Sequence, residues 1–378
     1  MADLGVYIHY PWCGKLCPYC DFPVAVKPRA GIPHQAYLDA VLAELGRRRD
    51  DFAGRRLVSI YFGGGTPSLW PARFLEAAIA GVTAAFASGD GADELEVTIE
   101  ANPADCDTAM MAGWRGAGIN RVSLGAQSLA DGALRVLGRE HDAAGALRAI
   151  EAVLAADFRS VSVDLILGVP FAGERLVDGV EASLVELARL KPPHLSIYEL
   201  TIKERTRFWR QVAEGALVPL ADGALADRYT ATSEYLSAAG YEHYEVSNYA
   251  LPGHRAVHNS LYWSSAEFLG LGCGAASFRV TDAGGVRRTN LRSAPRYLRS
   301  SQPKAETVTS SLEELAEERL WLGLRTSTGV TETALEGRGE LVAWLLSEGL
   351  AQRAEGRIQP TLRGFLFADQ VARRVVGG

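Results

Sequence analysis

The sequence lacks the features that mark membrane-spanning, secreted and nucleic-acid-binding proteins. It has no run of eighteen consecutive apolar residues, and its first twenty residues lack a charged start followed by a long apolar stretch. The basic run Arg47-Arg48-Arg49 is followed directly by Asp50 and Asp51, and the formal net charge is −6. We therefore expect a cytoplasmic protein that has no nucleic-acid partner and at most peripheral membrane contact.

Cysteine is also rare, with five residues in the 378-residue chain. An odd number argues against a disulfide framework, and free thiols suit the cytoplasm. Cys106 and Cys273 are isolated, whereas Cys13, Cys17 and Cys20 fall within eight residues in the pattern C-x3-C-x2-C. A zinc knuckle or a chance cluster of buried thiols is the alternative interpretation. Zinc, however, usually has four ligands from two paired motifs, and no second Cys/His pair has a suitable spacing.

Three closely spaced cysteines are better suited to an iron–sulfur cluster. A purely electron-carrying [4Fe-4S] cluster has four thiolate ligands, so three thiolates leave one iron open for another ligand. This spacing is typical of radical S-adenosylmethionine (SAM) enzymes, in which the amino and carboxylate groups of SAM chelate the open iron. Reduction of the cluster then cleaves SAM to a 5′-deoxyadenosyl radical. The sequence therefore predicts a [4Fe-4S] cluster and a SAM site.

Short strand-like runs alternate with helical patterns before residue 200. Strands that are separated by helices pair in parallel with right-handed crossovers, which indicates an α/β barrel or an open α/β sheet. About six βα units fit, whereas a closed barrel has eight, so we expect a partial (β/α)6 radical SAM barrel. The predicted strands are Leu4–His9, Val58–Phe62, Leu95–Glu100, Arg121–Leu124, Ser160–Leu165 and His194–Tyr198.

Three domains are expected from the change in pattern along the chain. Residues 1–220 form the partial barrel, and residues 221–307 extend it. Residues 308–378 form a small α-rich, winged-helix-like C-terminal domain. This last domain contains no cysteine and no histidine, so we assign it packing or partner docking rather than chemistry.

Beyond the barrel, the sequence predicts a strand at Tyr241–Val246 and then a loop that is rich in His, Asn, Gly and Trp. After Pro303 the character changes, and a charged helix is predicted over Glu306–Leu324. A β-wing is predicted near Leu350–Ile358.

A glycine run, Gly63-Gly64-Gly65, followed by Thr66 and Pro67, stands at the end of the second predicted strand. Glycine lets backbone amides and carbonyls approach a ligand closely, which suits the amino group of SAM. A glycine run alone is weak evidence, but it gains weight when it follows a cysteine motif of this spacing.

Polar residues stand at the ends of three later strands: Glu100, Gln127 and Asp164. An α/β architecture directs such groups to one mouth, where they would be costly to bury without partners. Any one of them alone is equally well explained as a helix cap or a structural hydrogen bond. Together they suggest contacts to the ribose and the methionine part of SAM, and Arg139 would pair with its carboxylate.

The second unusual segment is HNSLYW, which begins at His258. Histidine is an axial ligand of heme iron in many proteins, and flanking aromatic residues can cover a porphyrin face. A lone histidine is more often a satisfied structural residue, and histidine is also the usual general acid or base. The residues themselves leave these three roles open.

Taken together, these segments resemble the HemW-type heme chaperones. These chaperones are relatives of oxygen-independent coproporphyrinogen III dehydrogenase within the radical SAM superfamily. The resemblance runs over about residues 4–300 and more loosely beyond. It is carried by YIHYPWCGKLCPYCDF, YFGGGTPS, IEANP, LGAQS with GREH, VDLILGVP, YEVSNYA and HNSLYW.

The resemblance implies cofactors, site residues and partners. It implies that Cys13, Cys17 and Cys20 bind the [4Fe-4S] cluster and that His258 is the histidine of a heme-binding motif. It also implies heme binding, homodimerisation and delivery of heme to acceptor haemoproteins such as respiratory enzymes. The implied SAM contacts are Tyr7, Gly64, Gly65, Thr66, Glu100, Gln127, Arg139 and Asp164.

The main alternative is that the chain is an enzyme, the oxygen-independent coproporphyrinogen III dehydrogenase itself. That family has a fourth cysteine, in C-x3-C-x2-C-x-C, where this chain has Phe22, and it has a segment ahead of the cluster for which Cys13 leaves little room. It also lacks HNSLYW. A third interpretation is another radical SAM reaction, such as methyl transfer. We therefore expect a heme-binding chaperone without coproporphyrinogen dehydrogenase activity.

Overall fold

The computed structural model describes residues 1–86, 95–170, 179–300 and 305–377. Within these ranges, most strands belong to one twelve-stranded sheet, and the others form a three-stranded and a two-stranded sheet. The strands are β1 (Asp3–Tyr10), β2 (Trp12–Cys13), β3 (Ala25–Val26), β4 (Arg56–Gly64), β5 (Glu96–Ala101), β6 (Arg121–Gln127), β7 (Ser160–Leu167), β8 (His194–Glu199), β9 (Glu242–Glu245), β10 (Asn248–Ala250), β11 (Glu267–Leu271), β12 (Ala276–Thr281), β13 (Gly284–Asn290), β14 (Ala305–Ser310), β15 (Val330–Thr331), β16 (Ala351–Ala354) and β17 (Arg357–Pro360). The helices are α1 (His34–Arg48), α2 (Ala72–Ala85), α3 (Thr108–Gly116), α4 (Asp131–Val136), α5 (Ala143–Ala155), α6 (Val180–Leu190), α7 (Arg207–Ala213), α8 (Asp222–Ala238), α9 (Val257–Trp263), α10 (Ala294–Arg299), α11 (Leu312–Gly323), α12 (Gly339–Ser347), α13 (Leu362–Leu366) and α14 (Ala368–Val376).

Seven neighbouring strands of the large sheet are parallel, in the spatial order β11, β1, β4, β5, β6, β7 and β8. Six of them, β1 and β4 to β8, coincide with the six strands predicted before residue 200, so those predictions are confirmed. The seventh, β11, was not predicted. It comes from much later in the chain and places Glu267 opposite Leu4 of β1.

The sequence of β1 explains how the sheet orients its site. Because side chains alternate along a strand, Leu4, Val6 and Ile8 share one face, and Tyr7 and His9 share the other. The three aliphatic side chains are fully buried in the main core, and each contributes about 1.5–3 kcal/mol of hydrophobic stabilisation. The face that carries Tyr7 and His9 is therefore the one available for a polar site.

The helix predicted over Glu306–Leu324 begins too early. Residues 305–310 form β14, which pairs antiparallel with β13, and α11 begins only at Leu312. The β-branched residues Thr307–Thr309 favour the strand. Ser311 then starts the helix through a capping box with Glu314, in which each side chain accepts a hydrogen bond from the other residue's backbone amide.

The region after the barrel strands differs from the prediction in one further respect. The strand predicted at Tyr241–Val246 is present as β9. The segment predicted as a loop, however, contains α9, and the whole HNSLYW motif lies on this helix. The reason is a long-range contact that caps the helix, described below.

Residues after Ser310 form a second core, beside the main one, from α11, α12, α14 and the small sheet β15-β17-β16. Its buried side chains include Leu320, Leu324, Leu341, Leu345 and Ile358. The antiparallel pair β16 and β17 lies where a β-wing was predicted. Throughout the described ranges, we find no helix with both the length and the apolar character that crossing a membrane requires.

Candidate functional site

The three clustered cysteines lie on one loop at the carboxyl end of β1. Cys13 belongs to β2, which pairs in parallel with β3 and so closes the loop between them. Within this loop, the backbone amide of Cys20 donates to the carbonyl of Cys17 at 3.2 Å. All three thiols are free and partly buried. The chain therefore presents three thiols from one short loop at the end of a central strand.

The thiols are close enough to influence one another. Burial raises the pKa of Cys13 to about 11, a hydrogen bond from the Thr66 side chain opposes this, and negative charge on Cys20 and Cys17 adds to it. Burial also raises the pKa of Cys20. A cation at this position would remove the mutual repulsion of the thiolates, which is the effect that a bound iron–sulfur cluster has.

The loop does not have the closed geometry of an occupied metal site. In the described parts of the chain, no group of three or more Cys, His, Asp or Glu side chains is arranged to hold a metal ion. The donor set of Cys13, Cys17 and Cys20 nevertheless fits a [4Fe-4S] cluster with one open iron. Each thiolate of such a cluster binds a different iron, so the three thiols do not have to converge on a single ion.

Arg139 connects the cysteine loop to two neighbouring strands. Its guanidinium donates to Asn102 Oδ1 at 2.6 Å and to the Gly125 carbonyl at 3.0 Å, and its Nη1 lies 3.6 Å from Cys17 Sγ. The Nε of Arg139 is buried and has no hydrogen-bond partner among the residues that the structure describes. Because an orphaned buried donor is costly, this atom fits a site that binds an anionic group such as a carboxylate.

The glycine run packs directly against the cysteine loop. A Cβ on Gly64 would lie 2.5 Å from the His9 ring, and one on Gly65 would lie 2.6 Å from the Trp12 carbonyl oxygen. The φ of Gly64 is +111°, which other residues rarely adopt. Glycine is therefore required here by the close approach of two loops, in addition to any ligand.

The backbone amides of the glycine run are already used. The amide of Gly65 donates to the Tyr10 carbonyl at 2.8 Å, and that of Thr66 donates to the Trp12 carbonyl at 2.9 Å. The amide of Gly64 donates to Glu100 at 3.0 Å. These amides therefore hold the glycine run against its neighbours and are not available to a ligand.

Glu100 lies at the centre of a buried polar cluster. Its carboxylate accepts hydrogen bonds from the Tyr61 hydroxyl at 2.9 Å and from the Gly64 amide. Burial raises its pKa to about 7; these two hydrogen bonds lower it, and the charge of Asp164 raises it further. Glu100 therefore changes its charge near neutral pH.

Tyr7 and His9 complete this cluster from β1. The Tyr7 hydroxyl lies 3.0 Å from His9 Nδ1, and His9 Nε2 lies 3.4 Å from the Pro23 carbonyl oxygen. Burial, followed by the charge of Glu100, raises the pKa of Tyr7. Burial lowers the pKa of His9 to about 4, so this imidazole is neutral at pH 7. His9 was not singled out from the sequence, although the alternation along β1 places it beside Tyr7.

Asp164 is held by two serines from neighbouring strands. Its carboxylate accepts from Ser123 at 2.8 Å and from Ser162 at 2.9 Å. Burial raises its pKa despite these hydrogen bonds. Its charge reaches Glu100, so the structure brings Asp164 and Glu100 into one electrostatic site.

Gln127 has a strained backbone at the end of β6. Its φ is +66°, in the left-handed region that costs roughly 1–2 kcal/mol for a residue with a Cβ. The pairing of β6 with β7 is irregular between Leu124 and Gln127, where the strand leaves its regular register. Strain of this kind concentrates at functional sites, and no sequence pattern indicated it here.

The His258 ring packs against the rings of Tyr61 and Tyr7, with centroids 5.0 Å and 6.3 Å away. Its Nδ1 is 2.8 Å from Ser59 Oγ, and its Nε2 is 2.8 Å from the Tyr262 hydroxyl. His258 is 1% exposed. Ser59 precedes Gly64 by five residues on β4, which corresponds to about 16 Å along the strand. Iron ligation by His258 would require one of these two hydrogen bonds to break.

Helix α9 is fixed in this position by Glu96 of β5. The Glu96 carboxylate accepts hydrogen bonds from the backbone amides of Val257 and His258, both at 3.0 Å, and lies 3.9 Å from Arg121. Glu96 thus serves as the N-terminal cap that the residues next to the helix do not supply. Burial lowers the pKa of His258 to about 3, so its imidazole stays neutral under ordinary conditions.

The structure thus brings most of the predicted residues together at the carboxyl ends of the parallel strands. Interactions link the thiol loop to Thr66 and Arg139, and link Tyr7, Glu100 and Asp164 to one another. It places His258 apart from the thiol loop. Residues that sequence reasoning missed include Tyr61, Glu96, Asn102, Ser59 and His9.

Comparison with known proteins gives this arrangement a context. The sequence model of the radical SAM superfamily matches residues 7–178. The heme chaperone HemW of Lactococcus lactis is 30% identical over 97% of this chain and 96% of its own length. The heme chaperone HemW of Escherichia coli is 36% identical over 78% of this chain and 75% of its own length.

A solved structure shares the fold. The coproporphyrinogen III oxidase HemN from Escherichia coli, a radical SAM enzyme, superposes with a TM-score of 0.81 over 99% of this chain and 90% of that chain. The two sequences are 22% identical. At this identity the similarity establishes a common radical SAM fold, mixed α/β with a large sheet, and says nothing of a common reaction.

Proposed function

Because the chain belongs to the HemW heme chaperone family of the radical SAM superfamily, we propose that it binds heme and delivers it to acceptor haemoproteins. The observation that carries this proposal is the similarity to a HemW over 97% of the chain, which includes the cysteine loop and HNSLYW. The proposal assigns the protein a binding role rather than a catalytic one.

We further propose a [4Fe-4S] cluster on Cys13, Cys17 and Cys20, with SAM at its open iron. Together, cluster and SAM supply radical chemistry when the cluster is reduced. This chain's own residues bind and orient: the unpartnered Nε of Arg139 supports a carboxylate at the thiol loop. The proposed SAM contacts are Tyr7, Gly64, Gly65, Thr66, Glu100, Gln127, Arg139 and Asp164.

We also propose a domain organisation, a location and an oligomeric state. Residues 1–220 act as a partial barrel, residues 221–307 as its extension, and residues 308–378 as a winged-helix-like domain that docks partners. The protein works in the cytoplasm, touches membranes at most peripherally, and forms homodimers when heme binds. Size-exclusion chromatography with and without heme tests the last point, and an unchanged elution volume would contradict it.

The first experiment is heme binding and transfer. Purified protein is titrated with hemin, followed by the Soret absorbance, and then mixed with a heme-free respiratory haemoprotein. We expect stoichiometric binding and transfer of heme to the acceptor. Saturation without transfer would contradict the delivery role, and absence of binding would contradict the proposal as a whole.

The alternative function, coproporphyrinogen III dehydrogenase, is tested separately. Reconstituted protein is incubated anaerobically with SAM, a reductant and coproporphyrinogen III, and the porphyrin products are analysed. We expect no turnover, because Phe22 stands where that family has a fourth cysteine. Protoporphyrinogen formed at many equivalents per chain would overturn the chaperone proposal.

A further inference from the structure

We propose that His258 is a positioning residue of the SAM site, because it holds the Tyr61 ring where its hydroxyl meets Glu100. The inference rests on the proposed function, since it assumes that Glu100 is part of a SAM site. It assigns the histidine of HNSLYW a task that does not require contact with iron.

The first step is that the His258 ring cannot move freely. Both ring nitrogens are hydrogen-bonded, to Ser59 Oγ and to the Tyr262 hydroxyl, each at 2.8 Å. The backbone of the same residue is tied to Glu96 at 3.0 Å. Three connections to β4, β5 and α9 itself therefore define one ring position.

The second step is the contact between two rings. The His258 ring stacks on the Tyr61 ring, with centroids 5.0 Å apart and planes inclined by 28°. The Tyr7 ring stacks against Tyr61 as well, with centroids 6.0 Å apart and planes inclined by 27°. The Tyr7 and His258 rings are themselves 6.3 Å apart, so the three rings pack against one another, and each of Tyr61's two neighbours is held by its own hydrogen bonds.

The third step leads from Tyr61 to the proposed cofactor site. The Tyr61 hydroxyl donates to Glu100 Oε1 at 2.9 Å, and Glu100 Oε2 accepts from the Gly64 amide at 3.0 Å. The amides of Gly65 and Thr66 donate to the carbonyls of Tyr10 and Trp12, and these hydrogen bonds connect the glycine run to the start of the cysteine loop. A displaced Tyr61 would leave a buried carboxylate with one donor fewer, which costs about as much as a lost hydrogen bond to a charged group.

An iron ligand has different requirements. A histidine that binds heme iron needs one free ring nitrogen and a path for a planar macrocycle to reach it. His258 is 1% exposed, and neither nitrogen is free. The positioning role uses the contacts as they are, whereas ligation would require the Tyr262 bond to open.

The test compares three variants of the full chain after anaerobic cluster reconstitution. SAM affinity is measured by equilibrium dialysis, and folding by thermal denaturation. His258→Ala removes the ring, and we expect SAM to bind about tenfold more weakly. His258→Phe restores a ring without a metal-binding nitrogen, and we expect it to recover most of the lost affinity.

His243→Gln is the matched control. The Nδ1 of His243 is 2.9 Å from Ser233 Oγ, and its ring stacks on the Tyr249 ring with centroids 4.1 Å apart. In the described part of the chain no such connection leads from His243 to Glu100, so we expect SAM affinity close to that of the unmodified protein.

The outcomes separate the two proposals. Unchanged SAM affinity in His258→Ala overturns the positioning role, as does equal weakening in His258→Phe, because the ring would then not be the cause. A Soret spectrum lost in both variants while SAM affinity stays normal assigns His258 to iron and also overturns it. Unmodified protein that binds no SAM would refute the SAM site itself, and heme transfer is scored independently of all three.

Discussion

The two ends of the central strands differ in how completely their polar groups are paired. At the amino-terminal end, around α9, both nitrogens of His258 have partners, and Glu96 accepts two amides beside Arg121. At the carboxyl end, Arg139 Nε has no hydrogen-bond partner within the described ranges, three thiols are free, and Gln127 has a strained backbone. A completed network stabilises the fold, whereas an incomplete one is stabilised by a ligand. The contrast supports the proposal that ligands bind at the carboxyl end, with structural support at the other.

The largest expected effect comes from the thiol loop. Cys17→Ala should abolish the [4Fe-4S] cluster after anaerobic reconstitution, because two thiolates cannot hold it. Iron analysis should fall from about four atoms per chain to near zero, and the cluster absorbance should disappear. Cys273→Ala is the control, since Cys273 is fully buried and lies outside the C-x3-C-x2-C motif, and it should load iron normally. A normal iron content in Cys17→Ala would refute the cluster assignment.

The next effect concerns stability at the opposite end. Glu96→Ala leaves two amides of α9 without their acceptor and removes the carboxylate 3.9 Å from the Arg121 guanidinium, so we expect a loss of about 3 kcal/mol in the free energy of unfolding. Glu96→Gln keeps one acceptor oxygen and should lose less. Urea denaturation measures both. If the two variants were equally stable, the role of Glu96 as a helix cap would be wrong.

A third effect depends on pH and on Glu100. Its pKa in the folded chain is raised to about 7 from an ordinary value of 4.5. The folded state therefore holds a proton that the unfolded state has lost, and the resulting stability disappears as the pH rises through about 7. The side chain of Glu100→Gln stays neutral. As the pH rises from 5 to 8, the free energy of unfolding of this variant should therefore gain up to about 3 kcal/mol relative to that of the unmodified protein.

The same measurement on a second carboxylate provides the control for Glu100. Burial raises the pKa of Glu245 to about 7 as well, but its hydrogen bonds go to Ser247 and Asn248, beyond the SAM site. Glu245→Gln should therefore change stability with pH in the same direction while it leaves SAM affinity unchanged. A stability difference for Glu100→Gln that does not vary with pH would contradict the raised pKa.

The smallest effect is expected at Phe22. Phe22 is 63% exposed beside the cysteine loop, so Phe22→Ala should change the free energy of unfolding by less than about 0.5 kcal/mol. Iron content should also stay normal, because the residue supplies no ligand. Loss of the cluster in this variant would show that the carboxyl end depends on more of the loop than its three thiols.

Local patterns made part of this architecture predictable. Six strands could be located because each is a short apolar run before a turn, and the cysteines because their spacing itself encodes the ligand set. Contacts between distant residues were not predictable. α9 was expected to be a loop since its cap, Glu96, precedes His258 by 162 positions. In the same way, no local signal indicated that Tyr61 would meet Glu100 or that Arg139 would keep an unpaired nitrogen.

The pairing of β1 with β11 also sets an order of events during synthesis. Leu4 leaves the ribosome first, but its partner Glu267 follows only after most of the chain, roughly 15–50 s later at ordinary rates of translation. Throughout that interval, the strand that leads into the cysteine loop has one open edge. The parallel sheet beside the proposed cluster site is therefore complete only after β11 has been made.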